Sequence, residues 1–154
     1  MNKTIETINN HRSIRDYKSD EIEDSIINEI VVAAQSMPSS INGQQTSVIV
    51  IRNQETRSKI AEIAGGQFWI DKAPVFLLFL TDFFKTKLAA EKNQVTQKIH
   101  ESIESTLVGA VDVGLSMGAA IIAAESLGLG IVPIGGIRNN PQAMIELLNL
   151  PEMT

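Results

Sequence analysis

Two guanidiniums, an imidazole and a hydroxyl fall within five residues at His11, Arg12, Ser13 and Arg15, with Ile14 between them. The planar fork of arginine matches the oxygens of a phosphate, and a serine hydroxyl adds a directional donor, so the set suits one phosphate monoester. On spacing alone, a solvated charged turn beside Asp16 and Lys18 is the commoner meaning of such a group.

Other chemistries find less support. The chain holds no G-x-x-x-x-G-K-[ST], and Gly128, Gly130, Gly135 and Gly136 do not fit G-x-G-x-x-G, because Pro133 occupies the last glycine position. Gly135-Gly136 could let backbone amides approach a flat ligand, or could simply turn the chain between a strand and a helix. The two histidines, His11 and His100, stand in no metal-ligand spacing, so no metal is expected, and His100 is expected to face solvent. No G-x-S-x-G is present, and without cysteine there is no thiolate nucleophile, disulfide or iron-sulfur ligand. No side chain stands out as a catalytic acid or base.

The elements that must position these residues can be read from periodicity. Residues 4–9 carry Ile5 and Ile8 on one helical face. A second helix is expected from Ser19 as N-cap, with Glu21 and Glu23 in its first turn, through Ile22, Ile26, Ile30 and Ala33 to a stop at Pro38. Residues 38–45 form a helix-to-strand loop, followed by a β-branched run over 47–51. A helix over 54–64 ends at Gly65-Gly66, and Val75 to Leu80 is a strand expected to be buried on both faces. Residues 82–94 have no clear period and read as an irregular excursion. A long helix should follow, polar over 94–106 and apolar to Ala124, stopping at Gly128 or Gly130. A short third strand is expected over 131–134, then a final helix capped by Asn140 with Pro141 in its first turn.

The apolar stretch from Leu107 to Ala124 could be mistaken for a membrane span. It carries Asp112 near its centre, at a cost of roughly 2.5 to 3.5 kcal/mol on insertion scales, and is rich in Gly and Ala, so it reads as a buried helix with Asp112 as a hydrogen-bond acceptor. Gly114 and Gly118, flanked by Ala110, Ala119 and Ala120, make a smooth face suited to the sheet of the same domain or to a helix of a second copy.

The chain has 154 residues, 44% of them hydrophobic, enough for one domain with a single core. A net charge of -5 disfavours nucleic acid and anionic membranes as partners. The cysteine-free composition and polar N-terminus point to the cytoplasm.

Taken in order, five segments resemble the nitroreductase family, in particular its NADPH-dependent flavin reductase and nitroreductase branch. They are His11-Arg12-Ser13-Ile14-Arg15, Pro38-Ser39-Ser40-Ile41-Asn42-Gly43-Gln44, Gly65-Gly66-Gln67, the stretch from Ala123 to Gly130, and Pro133-Ile134-Gly135-Gly136 with Arg138-Asn139-Asn140. The resemblance implies an α+β fold, with a central mixed sheet flanked by helices and a long apolar helix at a homodimer interface. It implies FMN as cofactor, with its phosphate and ribityl chain at His11, Arg12, Ser13, Ile14 and Arg15. Ser39, Ser40 and Asn42, and more weakly Gln44, would reach the cofactor of the opposite subunit. Gln67 would hydrogen-bond the ring, and Ile134, Gly135 and Gly136 would lie along it. The implied activity is a ping-pong reaction in which NADPH or NADH reduces FMN and a nitroaromatic, quinone or free flavin takes the electrons. Relatives of the fold also dehalogenate or cleave flavin, and a flavin-binding remnant without turnover is the non-enzymatic alternative. Family members extend beyond the position of Thr154 with a further strand, a basic pair and a C-terminal arm, so the chain is expected to correspond to the N-terminal two-thirds of such a protein.

Overall fold

The computed structural model describes residues 2–154. Helix α1 (Lys3–Asn9) starts where the Asn2 side chain accepts from the Thr4 amide at 2.9 Å. Helix α2 (Asp24–Gln35) buries Ile27, Ile30 and Ala34. It begins later than the expected cap at Ser19: Glu23 is the N-cap and makes no side-chain cap bond. The reason lies in Arg52, whose Nη2 donates to the Ile22 carbonyl at 2.7 Å and to the Asp24 carboxylate at 2.6 Å, holding that carbonyl outside the helix ladder.

Strand β1 (Thr46–Ile51) pairs antiparallel with β2 (Phe76–Thr81), from Thr46 opposite Thr81 to Ile51 opposite Phe76. Between them run α3 (Gln54–Ile63), capped by Asn53, and the short α4 (Phe68–Lys72). Gly65 and Gly66, with φ of 88° and 78°, make the left-handed exit from α3 that residues with a Cβ adopt only at a cost. Helix α5 (Phe84–Lys92) occupies most of the stretch expected to be irregular; its weak amphipathicity, with no fully buried residue, explains why periodicity did not mark it. Helix α6 (Ile103–Ser126) starts later than expected, because residues 94–102 form turns, including a 3-10 turn at Ile99–Glu101. Helix α7 (Pro141–Leu148) has the expected cap, with Asn140 Oδ1 accepting from Ala143 N at 3.1 Å.

One core joins the sheet to α3, α4 and α7 through Ile51, Ile60, Ala61, Ala64, Ile70, Leu78 and Met144. Ile60 is completely buried, a contribution of about 1.5–3 kcal/mol for such a side chain. A second core sets α2 against α6 through Ile30, Ala34, Ala120 and Ala124.

Two strand expectations need correction. The third run, 131–134, makes a single parallel bridge between Ile131 and Ser13 instead of a strand, and Pro133, lacking an N–H, cannot extend the ladder. In β2 only Leu78 is fully buried; the other residues of the strand are partly exposed, and an apolar cavity bordered by Phe76 to Phe79 opens against the strand.

Helix α6 is long and apolar enough to cross a bilayer by length and composition. Its face bearing Asp112, Ser116, Ala120 and Ala124 is buried in the protein, while Ile103 (80% exposed), Leu107 (58%), Val111 and Leu115 lie open. A Cβ built on Gly114 or Gly118 would meet nothing within 4 Å, so these two positions are open, while Ala120 packs in the second core beside Leu77 and Phe79 of β2. The burial expected of α6 therefore holds for one face only.

Candidate functional site

The segment following α1 is fixed mainly through its backbone. Ile14 N donates to the Ile131 carbonyl at 2.9 Å beside the Ser13–Ile131 bridge, and Tyr17 Oη donates to the Ile14 carbonyl at 2.7 Å. Burial raises the Tyr17 phenol above its usual range, with Arg15 opposing the shift. Ile14 packs so closely on Gly130 that a Cβ there would lie 2.9 Å from its Cγ1. His11 Nδ1 lies 2.7 Å from Glu125 Oε1 near the end of α6, and Arg12 Nη1 donates to the His11 carbonyl at 2.6 Å. An ionised carboxylate only accepts, so this contact places a proton on Nδ1. The Arg15 guanidinium sits 5.7 Å from the centre of the Trp69 ring, a cation–π arrangement.

These contacts leave charge available. Arg12, Ser13 and Arg15 are exposed, and among the described residues neither Arg12 nor Arg15 is in an ion pair with a carboxylate. The exposed guanidiniums and the Ser13 hydroxyl are donors of the kind a phosphate monoester takes, Arg15 beside Trp69 and Arg12 in a pocket it shares with Glu6 and Glu125.

Gln67 and Gly136 meet directly. Gln67 Nε2 donates to the Ala64 carbonyl at 2.8 Å, and a Cβ on Gly136 would fall 2.3 Å from that nitrogen and 2.5 Å from the same carbonyl oxygen. Only glycine fits, so the chain passes flat against the end of α3 there. Ile134 packs on the main core, while Gly135 is exposed and leads into a 3-10 turn at Gly136–Asn139. An apolar cavity of about 850 Å³ opens beside this stretch; Ile14, Trp69, Ile134, Gly135 and Arg138 are among its lining residues. The structure thus draws residues 14–15, 67–69 and 134–138 to one side of the molecule.

The loop with Ser39, Ser40 and Asn42 is built separately. Asp112, 5% exposed, accepts from Ser40 N at 3.0 and 3.2 Å and from Gln45 Nε2 at 2.5 Å. The expected role of Asp112 as a buried acceptor is therefore seen, and its partner is this loop. Ser39 Oγ accepts from Gln44 N at 3.0 Å, and Asn42 Oδ1 from Gln44 Nε2 at 3.3 Å. Ile41, Asn42 and Gln44 have φ of 49°, 55° and 50°. For the β-branched Ile41 that conformation costs about 1–2 kcal/mol, and its side chain is 97% exposed. Ser39, Ser40 and Asn42 do not line the cavity beside residues 134–138.

Sequence reasoning assigned no role to Glu125, Trp69 or Tyr17. The one tryptophan of the chain, just after Gln67, was the available signal for Trp69. Glu125 and Tyr17 acquire partners only in the folded chain. Among the described residues, no group of three acidic or histidine side chains is placed to hold a metal. His100 is exposed, as expected.

The profile of the nitroreductase family matches residues 8–154. The chain is 52% identical to an FMN reductase [NAD(P)H] of Bacillus subtilis over 153 residues, covering 99% of this chain and 61% of the relative. It is 40% identical to the NADPH-flavin oxidoreductase of Vibrio harveyi, with coverage of 99% and 61%. The solved structure of B. megaterium NfrA2 superposes with a TM-score of 0.98 at 52% identity, covering 99% of this chain and 62% of that one. The NADPH:FMN oxidoreductase from Vibrio harveyi, solved in complex with NAD+, superposes with a TM-score of 0.90 at 40% identity, covering 98% of this chain and 64% of that one. The chain spans about three-fifths of the length of these relatives. With the fold, the order of segments and the family profile in agreement, this chain belongs to the nitroreductase family.

Proposed function

We propose that the protein is a cytoplasmic, homodimeric FMN-dependent NAD(P)H oxidoreductase that reduces nitroaromatics, quinones or free flavin. The observation that carries this reading is the exposed Arg15 guanidinium beside Trp69, among the described residues in no ion pair with a carboxylate, on the side of the molecule where Gln67 meets the Gly136 backbone and Gly135 lines the apolar cavity. The relatives named FMN reductase and NADPH-flavin oxidoreductase support the same cofactor and reductant.

In this reading the chemistry supplied by FMN, when bound, is two-electron transfer between a reduced nicotinamide and an acceptor. Arg12, Ser13 and Arg15 take the phosphate, His11 stands beside it, and Ile14 fixes the segment against Gly130. Gln67 offers a side-chain amide to the ring. Ile134, Gly135 and Gly136 give the ring a wall without projecting side chains at the glycines, so backbone amides come close to it. No side chain of this chain is required as a general acid or base. Ser39, Ser40 and Asn42 serve the site of a second copy. The open apolar face of α6 around Leu107, Val111 and Leu115 supports that dimer, since an apolar face of this kind gains free energy when a second surface covers it.

The test is to purify the intact protein and measure flavin absorbance together with FMN-dependent oxidation of NADPH and NADH. A yellow protein that oxidises at least one reduced nicotinamide and turns over a quinone or nitroaromatic is the expected result. A colourless protein that neither takes up added FMN nor oxidises either nucleotide overturns the reading.

A further inference from the structure

The 40–44 turn is a costly conformation that its own local hydrogen bonds close but do not tie to the body of the protein. Three of its residues that are not glycine lie in the left-handed region, and Ile41 points its side chain almost wholly into solvent. Backbone bonds within the turn, Asn42 N to Ser39 O at 3.1 Å and Gly43 N to Ser40 O at 2.8 Å, close it locally without fixing it to the body. That attachment comes from α6. The buried Asp112 carboxylate takes the Ser40 amide on one side and the Gln45 side chain on the other, so both ends of the turn are tied to one residue. Gln45 is itself 3% exposed, and its carbonyl accepts from Asp82 N at 2.8 Å. Gly43 completes the clamp, because a Cβ there would lie 2.0 Å from Gln45 Oε1.

We propose that Asp112 is a positioning residue for flavin binding: by clamping Ser40 and Gln45 it holds the left-handed turn that presents Ser39, Ile41 and Asn42 as one outward surface for the cofactor. The inference rests on the function proposed above, and adds that α6 sets the shape of this part of the site from inside the protein. Asp112 itself touches no ligand. Its removal frees the turn to relax toward ordinary backbone conformations, and the surface offered by Ser39, Ile41 and Asn42 is lost.

The experiment measures FMN dissociation constant, kcat at saturating FMN and melting temperature for the intact protein and for Asp112→Ala, Gln45→Met and each combined with Gln44→Gly. Glycine takes a φ near 50° without strain, so Gln44→Gly lessens the need for the clamp. The expected result is an FMN dissociation constant at least tenfold higher in Asp112→Ala, with kcat at saturation within threefold of wild type. Gln44→Gly should recover at least half of that loss on a logarithmic scale. Gln45→Met removes one arm of the clamp without touching Asp112, so it should raise the constant severalfold and gives the answer if Asp112→Ala does not fold. A lowered melting temperature with FMN affinity within twofold of wild type makes Asp112 a folding residue and overturns the proposal. Loss of affinity that Gln44→Gly does not recover overturns it too. If wild type fails to bind FMN, the function proposed above falls as well, whereas a binding wild type with unaffected variants defeats this inference alone.

Discussion

The two segments that carry most of the candidate ligand residues, 11–17 and 39–45, are anchored in different ways. Segment 11–17 is held by its own backbone against Ile131, with Glu125 of α6 adding one contact to His11 from the rim. Loop 39–45 hangs on Asp112, buried in the middle of α6, and bends through strained left-handed residues to do so. The first segment joins Trp69, Ile134 and Gly135 around one cavity, whereas the loop turns its apolar tip outward. The contrast teaches that one segment is fixed against Ile131 beside a cavity of its own chain, while the other is shaped from inside α6 and presents its tip to solvent.

The sharpest way to break this comparison is to disrupt the proposed dimer. Replacing Leu107 and Leu115 by Asp puts two charges on the open face of α6 and forfeits about 3 kcal/mol or more of apolar burial, roughly a hundredfold in dimer affinity. Analytical ultracentrifugation should show the shift, and changes at Ser39 or Asn42 should no longer affect FMN binding in that background. If they still do, the loop serves its own chain.

A smaller effect is expected from Glu125→Leu. Losing a charged acceptor 2.7 Å from His11 Nδ1 costs about 1.5–3 kcal/mol in orienting that ring, and FMN affinity should fall about tenfold as measured by fluorescence titration. Amide exchange in loop 39–45 should stay as in wild type, and faster exchange there would show that the two anchors are not independent.

Tyr17 gives the smallest effect. Its raised phenol means the folded chain holds the proton more tightly than the unfolded one, so the stability from this group is fully present below the ordinary pKa of 10.0 and declines as pH rises through the folded value. Urea denaturation between pH 9 and 11 should show this decline in wild type and lose its Tyr17 share in Tyr17→Phe. An unchanged profile would remove burial as a stabilising feature of segment 11–17.

Much of the fold was legible because it follows from local rules. Asn140-Pro141 opens α7, Gly65-Gly66 closes α3, and the two apolar runs become β1 and β2. The start of α2 and the existence of α5 were not legible: the first depends on Arg52, 30 residues from the carbonyl it holds, and the second on a helix with little amphipathic contrast. The sequence by itself determined that two guanidiniums and a hydroxyl travel together at Arg12, Ser13 and Arg15, the groups for which a phosphate-binding role is proposed. It also marked Asp112 as a buried acceptor, because a lone carboxylate in an apolar helix must find a donor. Only the tertiary structure decided which donor that is, why Gly136 must be glycine against Gln67 and Ala64, and which face of α6 stays open. Those facts depend on groups tens of residues apart arriving within hydrogen-bond or van der Waals distance, and periodicity along one segment carries no information about the segment that will meet it.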